Sequence, residues 1–286
     1  MEIKFDTVSY TDTKSRLNDV SFSFYSKHIY GIVGSNGSGK SYLGKLIYGM
    51  IRQTSGEITI DNEIIKTYSS SKKVIKCRDK IGYVGENPTD YFLYSTVYDT
   101  LKAQILKYHY REDESEKRIN DALKMIRLPN KLINRHPLTL SSGEQKKLLI
   151  AMALIHNPEV LVLDEPTIGL DPSEQKNIHK LIRMLKNRYG KTIIIITNDI
   201  EFLFPIVDDL LVLDKGNLIY FDKKYEVIKN VRQLKKIGVD VPTTIYFSDL
   251  VLRKKKIKLG YRDQMNDLIK DIYRYSTWGK REKENE

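Results

Sequence analysis

The chain opens on alternation between apolar and polar positions. Residues 3–9 and 19–25 carry the period of strands with one wet face, and the polar stretch 11–16 joins them into a hairpin-like pair. Residues 29–33 (IYGIV) are apolar without alternation, and Leu43, Leu46 and Ile47 then recur at helical spacing. A turn at 54–56 leads to strand-like residues 57–60, Asp61-Asn62 makes the next turn, and 80–84 (KIGYV) reads as another short strand. From 87 to about 128 the period becomes helical, with Val97, Leu101 and Ile105 and then Ile119, Leu123 and Ile126, which predicts an inserted helical subdomain. Ser141 opens a further helix that runs through 150–155 and is stopped by Asn157-Pro158. Residues 160–163 form a continuous apolar run, expected in the buried middle of a parallel sheet. A helix over 173–189 ends at Gly190, a strand follows at 192–197, and 210–214, Gly216 and 218–221 predict a closing hairpin. Strands alternating with helices in this way argue for an α/β fold with helices on a largely parallel sheet. After Tyr225 the sheet pattern gives way to short helical pieces.

The densest chemistry lies between the apolar strand 29–33 and the helix that follows it. Gly34-Ser35-Asn36-Gly37-Ser38-Gly39-Lys40-Ser41 satisfies the GxxxxGK[ST] phosphate-binding pattern in the strand, loop, helix context that pattern requires. Gly34, Gly37 and Gly39 let successive N–H groups turn toward phosphate oxygens. The helix N-terminus adds partial positive charge, Lys40 reaches the terminal phosphates, and the Ser41 hydroxyl is placed to ligate Mg2+. A second group follows at Val162-Leu163-Asp164-Glu165. Asp164 ends an apolar strand at the carboxyl edge of the sheet, where it can hold Mg2+ through water, and Glu165 just beyond it is placed to polarise an attacking water. Gly169-Leu170-Asp171-Pro172 then forms a sharp turn.

Composition narrows the setting. Within 286 residues there is room for one large domain or one domain with a small appendage, and a single cysteine, Cys77, excludes an internal disulfide and suits a reducing cytoplasm. The first residues lack a signal-peptide core, and no apolar run approaches the ~20 residues of a membrane span, so a soluble or peripheral protein is expected. The formal net charge is +11, but basic residues are mostly scattered among acids, the densest cluster being 253–258. A solvated basic face explains it first and attraction to a lipid surface second; no specific nucleic-acid partner is expected, because no recognition motif accompanies the charge.

Leu140-Ser141-Ser142-Gly143-Glu144 resembles the LSGGQ signature of ATP-binding cassette (ABC) subunits, and it lies just ahead of Asp164-Glu165, as in that family. The resemblance covers residues 3 to about 222 and implies a P-loop NTPase fold: an ABC nucleotide-binding domain over 1–224, with its helical subdomain at about 87–158. It implies two cassettes facing head to tail, each ATP lying between one phosphate loop and the other chain's signature. Ser141, Ser142, Gly143, Glu144 and Asp171 then join residues 34–41 as nucleotide-binding, Ser41, Glu86 and Asp164 hold Mg2+, and Glu165 with Asn198 forms the catalytic pair. Residues 237–242 (IGVDVP), 250–259 and 265–272 resemble the C-terminal extension of the ATPase subunits of energy-coupling-factor (ECF) importers, so 225–286 is expected to be a small helical appendage that can pair cassettes. Partners implied are a second cassette, a different chain being favoured, and integral membrane transport subunits, at the cytoplasmic face of the membrane.

Three positions depart from the family. Glu86 replaces a glutamine that supplies an oxygen to Mg2+. The carboxylate remains a hard ligand, yet at ~6 Å and a dielectric of ~20 it repels a phosphate charge by roughly 3 kcal/mol. Asn198 replaces the switch histidine and can neither carry a positive charge nor shuttle a proton. Asp12 stands where an aromatic ring covers adenine, and Tyr10, on the same strand face, is the substitute. These departures predict a site that binds Mg-ATP and hydrolyses it slowly, completing a competent site on another cassette. An ordinary hydrolytic subunit, a soluble ABC protein acting on ribosomes or DNA, and a non-hydrolysing nucleotide-gated scaffold are the alternatives. A groove beside Glu86 that accepts a partner's short helix would favour transport.

Overall fold

The strands are β1 (Ile3–Thr11), β2 (Arg16–Phe24), β3 (Ile29–Gly34), β4 (Ser55–Ile60), β5 (Glu63–Ile65), β6 (Ile81–Val84), β7 (Val160–Asp164), β8 (Thr192–Ile196), β9 (Asp209–Asp214) and β10 (Asn217–Lys223). A computed structural model describes residues 1–13, 16–106, 110–263 and 265–283. The strands form two sheets. One has the order β10-β9-β3-β8-β7-β6, parallel except for the β9–β10 hairpin. The α/β expectation therefore holds. The other is antiparallel, in the order β2-β1-β4-β5. The expected two-stranded hairpin thus grows to four strands, because β4 pairs antiparallel with β1 in the register Ile3↔Ile60 and β5 pairs with β4.

Burial explains the apolar runs. In β7, Val160 and Val162 face the core shared with the antiparallel sheet, while Leu161 and Leu163 face the opposite core, and β8 divides Ile194 and Ile196 from Ile193 and Ile195 in the same way. Both faces are covered, so no alternation survives in the sequence. On one face lies α1 (Lys40–Tyr48), with Leu43, Leu46 and Ile47 buried. Next to it is α2 (Ser71–Arg78), a helix absent from the sequence pattern because only Val74 and Cys77 are buried along it.

The helical subdomain consists of α3 (Val97–Leu106), α4 (Glu112–Ile126) and α5 (Ser142–Leu154). The helical period expected from 87 begins only at α3, since Asn87 caps a single 3-10 turn at Pro88–Asp90. The long helix α6 (Pro172–Tyr189) starts with proline at its first position and closes at Gly190 in the left-handed region. After it come α7 (Ile200–Leu203), α8 (Lys224–Ile228), α9 (Val231–Lys236), α10 (Thr243–Lys255) and α11 (Met265–Lys283). Val227, Val231, Leu234, Val239 and Ile245 from this last segment join the core that contains Phe202 and Phe204. Lys224 Nζ donates to Phe204 O at 2.8 Å and to Asp263 at 3.0 Å, so the C-terminal segment is fastened as well as packed. Among the described residues no helix is long and apolar enough to cross a membrane.

Candidate functional site

Three neighbouring parallel strands, β3, β8 and β7, end on one edge, at Gly34, Ile196 and Asp164. The phosphate-loop pattern, Thr197-Asn198 and Glu165 therefore emerge side by side, at the position where open α/β sheets bind ligands. Gly39, at the start of α1, has φ +102° and supplies no side-chain cap, and the first turn carries no acid. A Cβ at Gly39 would lie 2.7 Å from Leu17, so only glycine keeps the loop closed on the antiparallel sheet. Lys40 Nζ donates to Gly34 O at 2.8 Å and Ser35 O at 3.0 Å. Burial pushes its ammonium below the ordinary value, opposed by the charges of Glu165 and Asp164. Ser38 Oγ is buried with no hydrogen-bond partner, a donor left over for a bound group.

Asp164 is 4% exposed. Ser41 Oγ donates to its Oδ1 at 3.4 Å, and Tyr83 OH, from β6, donates to its Oδ2 at 2.9 Å. Burial raises its pKa, while the Tyr83 and Ser41 hydrogen bonds hold it down. Glu165 sits at φ +47°, in the left-handed region that a non-glycine residue enters only when its surroundings dictate it. Its N–H donates to Ile196 O at 2.8 Å, Thr197 Oγ1 donates to Oε2 at 2.7 Å, and the Asn198 N–H donates to Oε1 at 3.3 Å. Burial raises Glu165 above the usual carboxylate range, which suits a group that takes a proton from water. Asn198 Nδ2 donates to Asn36 Oδ1 at 2.8 Å, linking the edge of β8 to the phosphate loop. His179, whose Nε2 lies 2.6 Å from Phe202 O, is engaged elsewhere.

The segment 140–144 is arranged differently. Ser141 caps α5, its Oγ accepting from Glu144 N at 3.3 Å while Glu144 Oε2 accepts from Ser141 N at 3.0 Å. Gly143 N donates to Glu174 Oε1 at 3.1 Å, and Ser142 Oγ lies 3.4 Å from Glu174 Oε2. A Cβ at Gly143 would meet Glu174 at 2.5 Å. Asp171 caps α6, accepting from Ser173 N at 2.7 Å and Glu174 N at 2.8 Å. The hydrogen bonds of Ser141–Glu144 and Asp171 thus run to one another and to Glu174, not to the phosphate loop. Buried Lys146 of α5 links the two regions, donating to Glu86 O at 2.6 Å and Glu165 O at 3.2 Å.

The profile of the ABC transporter family matches residues 17–168. This chain belongs to the ABC transporter family. It is 31% identical over 265 residues to the energy-coupling factor transporter ATP-binding protein EcfA2 of Bacillus cereus, covering 91% of this chain and 90% of that protein. It is 36% identical over 241 residues to EcfA1 of Mycoplasma mobile, covering 84% and 86%. Among solved structures it is similar to cbiO1 of Clostridium perfringens, part of the ABC transporter complex cbiONQ, with TM-score 0.73, 30% identity and coverage of 86% of this chain and 98% of that one. The ATP-binding cassette MJ0796, in a dimeric post-hydrolysis state with ADP and Pi, matches with TM-score 0.67, 29% identity and coverage of 77% and 98%.

In this ABC subunit the donor set fits a magnesium nucleotide. Ser38 offers an unpaired hydroxyl and Lys40 a charge, and Ser41 with Asp164 supplies hard oxygens. Among the described residues no three His, Cys, Asp or Glu side chains converge. Glu86 is exposed, and its hydrogen bond in this site runs from Lys146 to its carbonyl. Tyr10 hydrogen-bonds to Asp12 at 3.1 Å and its ring lies 5.3 Å from that of Tyr42.

Two further features adjoin the site. A cavity of about 260 Å³ is lined by Ser35, Asn36 and Asn198 and by Gly238, Val239 and Asp240, so the C-terminal segment reaches the phosphate loop. A groove of about 410 Å³ lies between α1, α2 and the helical subdomain, bordered by Tyr48, Arg78, Tyr83, Tyr91, Met152 and His156. Tyr83, Thr197, Lys146 and Glu174 were not singled out from sequence. Lys146 alone left a signal, a cation on the buried face of α5.

Proposed function

We propose that this chain is the ATP-binding subunit of an ECF-type importer, and that its own site binds Mg-ATP but hydrolyses it slowly. The observation that carries the reading is the polar network at the sheet edge, complete in Lys40, Ser41, Asp164 and Glu165, with Asn198 in the position of the switch histidine. In this reading residues 34–41 hold the phosphates, and Ser41 and Asp164, with Glu86, hold Mg2+, whose charge offsets that of the phosphates. Glu165 accepts the proton of the attacking water, its carboxylate fixed by Thr197 and by the Asn198 N–H. The asparagine side chain can hydrogen-bond to a phosphate but carries no charge, a loss that typically lowers rate by about 10²- to 10⁴-fold.

The groove beside the helical subdomain supports a membrane partner that inserts a short helix. Pairing with a second cassette is supported by the apolar side chains Met265, Ile269 and Ile272, spaced along one face of α11 and left exposed. Ser141–Glu144 and Asp171 then serve the partner's nucleotide, and a partner with its own histidine supplies the faster site. The test is turnover by the purified chain with Mg-ATP, beside Glu165→Gln. Tight binding with negligible turnover is expected. Brisk turnover, abolished by Glu165→Gln, would overturn the slow-site reading.

A further inference from the structure

We propose that Tyr83 is a positioning residue that couples the groove beside the helical subdomain to the carboxylate of Asp164. The inference rests on Asp164 being the magnesium-holding carboxylate. Tyr83 belongs to both places at once: its ring borders the groove, and its hydroxyl donates to Asp164 Oδ2 at 2.9 Å. The other oxygen of Asp164 has only the longer 3.4 Å contact with Ser41 Oγ. Asp164 is buried at the end of β7, so water cannot readily replace the Tyr83 hydrogen bond. Tyr83 is therefore the firmer of the two groups that fix the carboxylate plane.

The ring is held from the groove side. Tyr48 of α1 stacks on it, with centroids 5.4 Å apart and an interplanar angle of 26°. Arg78 of α2 covers Tyr48 at 4.5 Å, and its Nη2 donates to the Tyr48 hydroxyl at 3.3 Å. Arg78, Tyr48 and Tyr83 form one stack that begins in the groove and ends on Asp164. A phenol ring is rigid, so any tilt imposed by an occupant of the groove is carried to its hydroxyl. A hydrogen bond of 2.9 Å is lost within a few tenths of an ångström beyond 3.2 Å. Occupancy of the groove thereby changes how Asp164 presents its oxygens to Mg2+. This link is separate from Glu86, whose contact with the site runs through Lys146.

The test is a double-mutant cycle on the full chain, reading the Mg2+ concentration needed for half-maximal binding of a fluorescent ATP analogue, with thermal unfolding alongside. Tyr83→Phe is expected to raise that concentration about tenfold, the lower end of the effect of removing a partner of a metal ligand, while nucleotide binding without Mg2+ is unchanged. Arg78→Ala is expected to shift it about two- to fivefold in the native background and not at all in the Tyr83→Phe background. An unchanged midpoint in either single variant, or equal Arg78→Ala shifts in both backgrounds, overturns the coupling. A melting temperature lowered together with nucleotide binding, with and without Mg2+ alike, reduces Tyr83 to a packing role and also overturns it. Asp164→Asn separates the two levels: if it leaves the midpoint of the native chain unchanged, the magnesium reading of Asp164 fails and the inference falls with it.

Discussion

Two helix N-termini in this chain can attract an anion, and they are prepared in opposite ways. α1 begins at a left-handed glycine with no side-chain cap, no acid in its first turn and an unpaired buried hydroxyl at Ser38. α5 begins with a closed capping box, and its Gly143 N–H is already taken by the Glu174 carboxylate. The first end is uncapped and keeps a buried hydroxyl, that of Ser38, without a partner. The second has its donors satisfied within the chain, and the negative charge of Glu174 lies against its first turn, where a helix N-terminus favours an anion. On the proposed reading, the first end holds this chain's own nucleotide, and the second is freed for a partner's ATP only when the Glu174 carboxylate gives up Gly143 N–H.

The largest effect should fall on the chemistry beside α1. In the Asn198→His background, in which the account expects turnover to be restored, Glu165→Gln is expected to lower the hydrolysis rate by about 10²- to 10⁴-fold with nucleotide binding retained. The same variant has a pH signature. Burial raises the Glu165 pKa in the folded chain above its unfolded value. The folded state therefore holds that proton longer, and stability is lost as pH rises from the ordinary carboxylate range through the raised value. Glu165→Gln should raise the melting temperature at pH 7 and leave it unchanged near pH 4.

Next comes Lys40→Ala, expected to weaken ATP binding by about 100-fold in a calorimetric titration, since a charged donor to phosphate is lost. Ser141→Ala should leave that affinity untouched, which is the sharpest contrast between the two helices. The smallest effect is at Glu174. Glu174→Gln keeps an acceptor for Gly143 and removes the charge, so ATP-driven association of cassettes carrying Glu165→Gln should tighten about two- to fivefold by sedimentation. Weaker association would mean that Glu174 only supports the signature turn.

Legibility in the sequence followed the range of the interactions. The phosphate loop, Asp164-Glu165 and the start of α5 are runs of adjacent residues with local geometry, and each stands at the element end the pattern indicated. Tyr83, Thr197 and Glu174 act on residues far away in the chain, Tyr83 on Asp164 and Glu174 on Gly143, and nothing in their immediate neighbours marks them. Lys146 was readable in principle, because a lysine on the buried face of α5 must find carbonyls, here those of Glu86 and Glu165. The antiparallel sheet was half visible: β1 and β2 show their period, but the pairing of β1 with β4 joins segments separated by the whole phosphate loop and α1. α2 left no signal because a short helix with two buried residues has no stripe to detect.

The measurement that bears most directly on the account is ATP binding and hydrolysis by the purified chain, side by side with Asn198→His. Tight Mg-ATP binding with negligible turnover, restored by the histidine, is the predicted result and would mean that the faster site belongs to a different partner cassette. Brisk turnover by the unaltered chain would contradict it, and would make Asn198 a tolerated substitution in an ordinary hydrolytic subunit.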